Sequence, residues 1–276
     1  MAFKISGFGA SQTKENNIAP NYEMHPQTEI PRKSLVQIRF PGKGMALTYY
    51  NDQFDLKPGD QVYVDGKMEG LLGQVMEVNY NFKIKISDYK KVIAVVDTDV
   101  SGAFYMAGSH FVTFDPSALP LDKTKLWFKA PEKEDEEIIS SSDDSSFPLS
   151  NLNGMNISGT IAERGHAYYL ENRVSYLCLD GTKGFAIVEG STSYFIEFNY
   201  QNGEISHLIC DCPCACTCKH EFAAMLQLRE TLALIEAHYL AEHSGYFAAI
   251  TKSALFSFAV NNKDTGCFTL SSAEKN

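Results

Sequence analysis

One short segment of the chain, residues 210–220, contains five of its seven cysteines and ends in a histidine. Thiolate sulfur and imidazole nitrogen are common ligands of Zn²⁺ in proteins, and four of them form a closed tetrahedral site. A Cys-x-Cys pair can direct both sulfurs to one ion, and a Cys-x-His pair at a helix start can supply two more ligands. The segment therefore predicts a metal site, and zinc is the expected cofactor.

Other kinds of cysteine chemistry fit this spacing less well. Disulfides between cysteines two residues apart would close small, strained rings, and five cysteines cannot all pair with one another. Every gap between the cysteines is a single residue, so the redox motif Cys-x-x-Cys is absent. A catalytic thiol needs a base and a group that orients the base, and no such signature is recognisable in the sequence. The chain is therefore predicted not to be an enzyme.

The segment resembles the SWIM zinc finger, whose pattern is Cys-x-Cys, a variable spacer, and Cys-x-His leading into a helix. Cys210–Pro213 and Cys218–His220 match this pattern position by position. The resemblance implies that the metal ligands are Cys210, Cys212, Cys218 and His220. It covers roughly residues 158–230, because flanking segments are similar to the strands and the helix of such a finger: Glu163–Tyr169, Val188–Ser191, Tyr194–Phe198 and Glu221–Leu226.

The spacer between the two ligand pairs leaves two alternatives open. It spans only Pro213–Thr217 and contains Cys214 and Cys216. Either of these cysteines can replace one of the four implied ligands or bind a second ion, and His207 is a reserve ligand. With four protein ligands the metal has no open position for water, which favours a role in folding over a role as a Lewis acid.

The composition is that of an ordinary soluble protein. With 276 residues, 44% hydrophobic and 21% charged, the chain can form two small domains, each with its own core. No apolar run approaches 18 residues, so no membrane span is expected. The first residues lack the apolar stretch of a secretory signal, and clustered thiols suit a reducing compartment. We therefore expect a cytoplasmic protein.

The pattern of apolar residues and turns predicts an α+β fold in four segments. These are an extended or disordered arm (1–30), a mostly antiparallel, SH3-like β-barrel (31–129), an acidic, serine-rich linker (130–150), and a SWIM-type zinc-finger domain with a C-terminal extension (151–276).

The first domain is predicted from short β-like runs separated by turns. The runs are Leu35–Phe40, Ala46–Tyr50, Gln61–Asp65, Gly73–Val78, Phe82–Ile86 and Val92–Val96. Within them, Leu56–Val64 and Gly70–Val75 resemble the KOW-like core of SH3-type barrels, which bind RNA, DNA or protein tails. The alternation of Phe82, Ile84 and Ile86 predicts that these three residues belong to the core.

The second domain is predicted as a β-meander that leads through the cysteines into a helix. Its expected strands are Ala167–Tyr169, Val174–Leu177, Phe185–Val188, Tyr194–Tyr200 and Ile205–Ile209. The helix, at about 220–239, has a broad apolar face. The region from Gly245 to Leu270 is expected to add helices or a hairpin that packs on the finger.

The resemblance implies an adaptor linked to nucleic acids, because SWIM fingers are associated with Swi/Snf-type helicases and transposases. The expected partner is DNA, RNA or a protein such as a Swi/Snf-type helicase; neither a membrane nor a small-molecule substrate is expected. The net charge of −10 makes a protein partner at least as compatible as a nucleic acid. A local basic face around the finger is predicted from Lys219, Arg229, Lys183, Arg164 and Arg173.

Two other functions remain open. A metal-sensing or metal-storage protein would use all five clustered cysteines. A metal-dependent hydrolase would need an acid or base beside the metal, and only Asp211 and Glu221 are adjacent to it in sequence.

Overall fold

The structure is a computed structural model that describes residues 3–4, 31–132, 141, 145–214, 216–260 and 267–271, with only the backbone of 3–4 and 267–271. The described residues form a mixed α+β fold with two mainly antiparallel sheets and four α-helices, so the predicted fold class is confirmed at this level. The chain divides into two compact units. The smaller contains residues 31–97 and 129–132, and the larger contains 98–128 together with the described residues from 141 onwards and Phe3–Lys4.

The described part of the chain contains fifteen strands: β1 (Phe3–Lys4), β2 (Ser34–Arg39), β3 (Leu47–Asn51), β4 (Gln61–Val64), β5 (Gly73–Asn79), β6 (Val92–Val96), β7 (Ser101–Ala107), β8 (His110–Thr113), β9 (Ser146–Pro148), β10 (Val174–Asp180), β11 (Lys183–Glu189), β12 (Ser193–Gln201), β13 (Glu204–Cys210), β14 (Tyr246–Thr251) and β15 (Cys267–Ser271). Its helices are α1 (Leu121–Phe128), α2 (Gly159–Leu170), α3 (Lys219–His238) and α4 (Lys252–Leu255).

The smaller unit is one five-stranded sheet with the order β3-β2-β5-β4-β6. Alternate apolar residues, such as Val36 and Ile38 of β2, point to one buried core, as the period of two in a strand requires. An isolated bridge links Tyr50 of the edge strand β3 to Lys91, the residue before the other edge strand β6. No closed barrel is found among the described residues, and the SH3-like barrel stays a prediction.

The predicted strand Phe82–Ile86 is wrong. Residues 82–85 are unpaired, Ile86–Asp88 forms a 3₁₀ turn, and Ile86 is 52% exposed. The local cause is the end of β5, where the side chain of Asn79 accepts a hydrogen bond from the backbone N–H of Asn81 at 2.8 Å. Such an asparagine turn redirects the chain away from the sheet, so the alternating residues that follow find no neighbouring strand.

The larger unit is built on a ten-stranded sheet with the order β1-β15-β7-β8-β14-β10-β11-β12-β13-β9. Residues 98–128 belong to this unit, whereas the sequence assigned them to the first domain. Tyr246–Thr251 is not an addition on the finger but strand β14, paired with both β8 and β10. The sheet therefore joins two distant parts of the chain.

The predicted arm and linker lie largely outside the described residues, which omit 1–2, 5–30, 133–140 and 142–144. Phe3–Lys4 forms strand β1, antiparallel to β15. Part of the predicted linker is also a strand, because Ser146–Pro148 pairs with β13 as β9 and buries Phe147.

Helix α3 covers one face of the larger sheet. Its small and apolar residues, among them Ala223, Ala224 and Leu228, form one core with Ala186 of β11 and Ile196 of β12. The helix was predicted at about 220–239, and its observed span confirms that prediction. None of the helices in the described residues is both long and apolar enough to cross a membrane.

Helix α2 replaces the strand that was predicted at residues 167–169. Ser158 begins it, since its hydroxyl accepts the backbone N–H of Ile161 at 3.4 Å, which is the usual N-cap interaction. Gly165 lets α2 approach α3 closely. A Cβ atom there would lie only 2.8 Å from the carbonyl oxygen of Lys219 and 2.9 Å from Phe222. The aromatic residues at 168 and 169 thus lie on a helix whose neighbour is α3.

Candidate metal centre

Strand β13 positions the first cysteine pair. Cys210 is its last residue and pairs with Ile196 of β12. Beyond it, Asp211 remains bound to β12: its backbone N–H donates to the carbonyl of Phe195 at 3.0 Å, and its carboxylate accepts the N–H of Phe195 at 2.8 Å. Because both the backbone N–H and the carboxylate of Asp211 bond Phe195, the neighbouring residues Cys210 and Cys212 are fixed at the edge of the sheet. Cys212 is buried.

The start of α3 positions the second pair. Cys218 is the N-cap residue and forms a capping box with Glu221, whose carboxylate accepts the N–H of Cys218 at 2.7 Å. In return, the sulfur of Cys218 accepts the N–H of Glu221 at 3.5 Å. His220 follows in the first turn and is 4% exposed. The helix cap therefore sets the direction of both ligands.

The ligand atoms of Cys210, Cys212, Cys218 and His220 all lie within 4.8 Å of one another. The Nδ1 atom of His220 is 3.6 Å from the sulfur of Cys218 and 3.8 Å from that of Cys210. A regular tetrahedron with zinc–sulfur bonds of 2.3 Å and zinc–nitrogen bonds near 2.0 Å separates its ligands by roughly 3.5 to 3.8 Å. The two distances from Nδ1 are close to this spacing, and the cluster could hold a metal ion.

The thiols of this cluster compete for negative charge. The pKa of Cys218 is lowered, first by its hydrogen bond with Cys210, whereas the pKa of Cys210 is raised by that bond and then by burial. Burial also raises the pKa of Cys212. One thiolate therefore suppresses ionisation of its neighbours, and a bound dication would remove that penalty, because metal coordination favours deprotonated thiols.

Two tyrosines hold the imidazole of His220. The ring of Tyr194 stacks on it, with centroids 4.2 Å apart and planes inclined by 22°, and the ring of Tyr168 lies 5.5 Å away. With Nδ1 facing the sulfurs, Nε2 is buried and has no hydrogen-bond partner within the described residues. Gly190 provides the space, since a Cβ there would lie 2.7 Å from the Tyr194 ring and 3.4 Å from Nε2.

A second feature beside the metal ligands is the Tyr168 cluster, which we define as Tyr168, Arg173 and Lys219. The ammonium of Lys219 lies 4.4 Å from the centre of the Tyr168 ring, and the guanidinium carbon of Arg173 lies 4.6 Å from it. Arg173 also pairs with Glu171 at 2.5 Å. The cluster presents two cations and one aromatic ring, all partly exposed, at the side of His220.

Other predicted site residues are not part of the four-ligand cluster. Cys214 and Cys216 are exposed, and His207 is absent from the cluster that the described residues form. Lys183 and His207 instead line a cavity. Burial raises the pKa of Tyr169, and the nearby positive charge of Arg229 opposes that shift.

Sequence reasoning included Tyr168, Gly190 and Tyr194 only within segments similar to a SWIM finger, and it missed their support of His220, because they belong to elements distant from it in sequence. Glu221 had a recognisable signal, since a glutamate three residues after an N-cap is typical of a capping box.

The resemblance to SWIM fingers depends on residues 158–230 and stays a prediction. Comparisons of the chain with protein-family models, with curated proteins and with solved structures found no match.

Proposed function

We propose that this chain is a zinc-binding adaptor of the SWIM-finger type that contacts nucleic acid or a protein of a nucleic-acid-processing complex. The observation that carries the proposal is the convergence of three thiols and one imidazole, from the end of β13 and the start of α3, within 4.8 Å. Three sulfurs and one nitrogen in a closed arrangement are typical of structural zinc. The metal would then fasten α3 to the edge of the sheet.

The Tyr168 cluster supports the choice of partner. Lysine and arginine side chains bind phosphates, and an exposed tyrosine ring can stack on an unpaired base. Because Tyr168 also contacts the imidazole of His220, a bound metal would stabilise the position of this surface. A protein partner with an acidic segment could use the same ring and cations for its contact, since a carboxylate binds them as a phosphate does.

Metal content tests the first half of the proposal. Mass spectrometry of the reduced, purified protein should find one zinc per chain. The Cys218→Ser variant should lose zinc, whereas Cys214→Ser should retain it, because Cys214 is exposed and lies outside the four-ligand cluster. Absence of zinc from the wild-type protein, or loss of zinc in Cys214→Ser alone, would contradict this ligand set.

Binding of a labelled single-stranded oligonucleotide, measured by fluorescence anisotropy at several salt concentrations, tests the second half. Each phosphate contact should contribute about −0.7 to the slope of log K against log salt. Lys219→Gln should therefore make the slope shallower by about 0.7. Lys183→Gln, the matched control, removes the same charge from a residue outside the Tyr168 cluster and should leave the slope unchanged. Absence of binding would rule out nucleic acid and leave a protein partner, whereas equal effects of the two variants would show that the contact is not specific to the Tyr168 cluster.

A second candidate function, metal sensing or storage, is favoured by one observation: Cys214 and Cys216 are both exposed beside the four-ligand cluster. Exposed thiols can receive a metal ion from another molecule without any unfolding. More than one zinc per chain, reduced to one by the Cys214→Ser and Cys216→Ser double variant, would support this function over the adaptor.

A further inference from the structure

A cavity of about 560 Å³ lies within the larger unit. Its walls include Cys178 of β10, Phe185 of β11, and Glu197 of β12. These residues alternate along their strands with Leu177, Ala186 and Ile196, which belong to the core under α3. The cavity is therefore on the opposite face of the sheet, and its volume is typical of sites that bind small organic molecules.

The strand register arranges the cavity wall in two rows. In the inner row, Cys178 pairs with Phe185, and Phe185 pairs with Glu197. In the outer row, Asp180 pairs with Lys183, and Lys183 pairs with Asn199. Leu121, Pro116 and Pro120 complete an apolar side. The result is an apolar floor whose margin carries charged groups, Glu197 at the end of the inner row and Asp180 and Lys183 in the outer row.

Both signs of charge are present at this margin. Asp180, Lys183 and Glu197 are exposed, and none of their side chains forms a hydrogen bond or ion pair with another residue in the part of the chain that the structure describes. A second ammonium, that of Lys125, lies 4.4 Å from the centre of the Phe185 ring. A ligand with only one kind of charge would meet repulsion as well as attraction here.

A bulge in β13 brings one more polar side chain to the cavity. The register between β12 and β13 shifts after Glu197, and His207 in the shifted segment has a positive φ of 51°. Bulges occur often beside binding sites because they redirect a side chain, and a positive φ is uncommon for residues other than glycine. His207 lines the cavity in this conformation.

We propose that this cavity binds a short apolar peptide with both ends free, of the size of a dipeptide. Lys183 and Glu197 are diagonal neighbours on adjacent antiparallel strands, and residues in such positions are about 7 to 8 Å apart, with their Cβ atoms somewhat closer. Two extended residues span about 7 Å, so the carboxylate of a dipeptide can face Lys183 while its ammonium faces Glu197. The apolar side chains of the peptide then cover Ile209 and Leu121.

This site is separate from the metal centre and does not depend on the proposed adaptor function. The proposed dipeptide site departs from the expectation, drawn from the sequence, that the chain has no small-molecule ligand. The cavity depends on the pairing of three strands, which the sequence pattern does not determine.

The test is a titration of the isotope-labelled, zinc-supplemented full chain, followed by the amide signals of residues 178–209 in nuclear magnetic resonance spectra. The probes are leucylleucine, its N-acetyl derivative, its C-terminal amide, and free leucine. Leucylleucine should bind, and each blocked derivative should bind about fivefold more weakly, which is the effect of one exposed ion pair of about 1 kcal/mol.

Two variants identify which charged side chain binds which terminus of the dipeptide. Lys183→Gln should weaken leucylleucine about fivefold but leave its amide unaffected, whereas Glu197→Gln should weaken leucylleucine but leave the acetyl derivative unaffected. Ile209→Trp should fill the cavity and abolish binding of every probe. Glu204→Gln, an exposed carboxylate of β13 outside the cavity lining, is the matched control and should bind like the wild type.

Three results would overturn the proposal. One is the absence of any shift with leucylleucine at millimolar concentration. Another is equal binding of the blocked and unblocked probes, which would show that the charges do not recognise the ligand. The third is tighter binding of free leucine, which would assign the cavity to an amino acid rather than a dipeptide. Each variant's dispersed amide spectrum confirms that it is folded, so loss of binding is not mistaken for unfolding.

Discussion

The imidazole of His220 shows how single residues orient the ligands of this site before a metal binds. Its Nδ1 atom faces two sulfurs, and the stacked ring of Tyr194 restricts its rotation. A ligand that is already oriented loses less conformational freedom when a metal binds. The residue that permits this stacking is Gly190, which has no chemical function of its own.

Substitution of Gly190 by alanine tests this interpretation. The added methyl group would lie 2.7 Å from the ring of Tyr194, so the ring has to move away from His220. We expect a loss of about 1 to 3 kcal/mol in the free energy of unfolding, as for other overpacked positions, and faster loss of zinc to a chelator. Thermal unfolding and the rate of metal transfer to a chromogenic chelator measure the two effects.

The matched control for this experiment is Gly159→Ala. Gly159 is the first residue of α2, and a Cβ there would meet no atom within 4 Å. Its replacement should be neutral or slightly stabilising, because alanine has the higher helix propensity. If both variants release zinc at the wild-type rate, the contact between Tyr194 and His220 does not support the metal site.

At the level of the elements, His110 joins three strands of the larger sheet. It begins β8, pairs with Thr251 of β14, and its Nε2 bonds the carbonyl of Val174 in β10 at 2.7 Å. Its Nδ1 is 2.9 Å from the hydroxyl of Ser109. The side chain is fully buried, and one neutral tautomer satisfies both bonds.

The stability of the protein should therefore depend on the charge of His110. Burial, together with the nearby Lys252, lowers its pKa from the usual 6.5 to about 4 against the opposing effect of the Val174 carbonyl. Between pH 6.5 and 4 the unfolded chain binds a proton that the folded chain does not, so stability falls as the pH falls. The expected contribution is about 3 kcal/mol over this interval.

Urea unfolding at a series of pH values measures this effect. The His110→Gln variant, compared with the wild type, should lose most of the slope of stability against pH between 6.5 and 4. His238→Gln, at an exposed position on α3, is the control for the loss of an imidazole. A slope that is the same in His110→Gln and in the wild type would show that other groups cause the acid sensitivity.

For the molecule as a whole, the sequence predicted those helices, strands and ligands that depend on residues close together along the chain. Helix α3 and the four clustered ligands follow from a short segment with a cap, an apolar face and characteristic spacing. Strands such as β2 and β4 follow from alternation between turns. Phe82–Ile86 shows the limit, since alternation without a partner strand does not make a strand.

The remaining features could not be predicted because they depend on contacts between distant residues. Tyr168 and Tyr169 are β-forming by composition, but Ser158 and the close packing at Gly165 make their segment a helix. The cavity depends on the register of β10, β11 and β12, and a single sequence does not determine how strands pair.

The position of β14 has a consequence for the order in which the protein is made. β8 and β10 lie on either side of β14 in the sheet, yet both leave the ribosome before it does. The two parts of the sheet can therefore join only late in translation, through contacts that close long loops. The four metal ligands, in contrast, lie close together in the sequence, between Cys210 and His220. They can therefore bind a metal ion soon after they leave the ribosome, before β14 has been synthesised and the sheet has been completed.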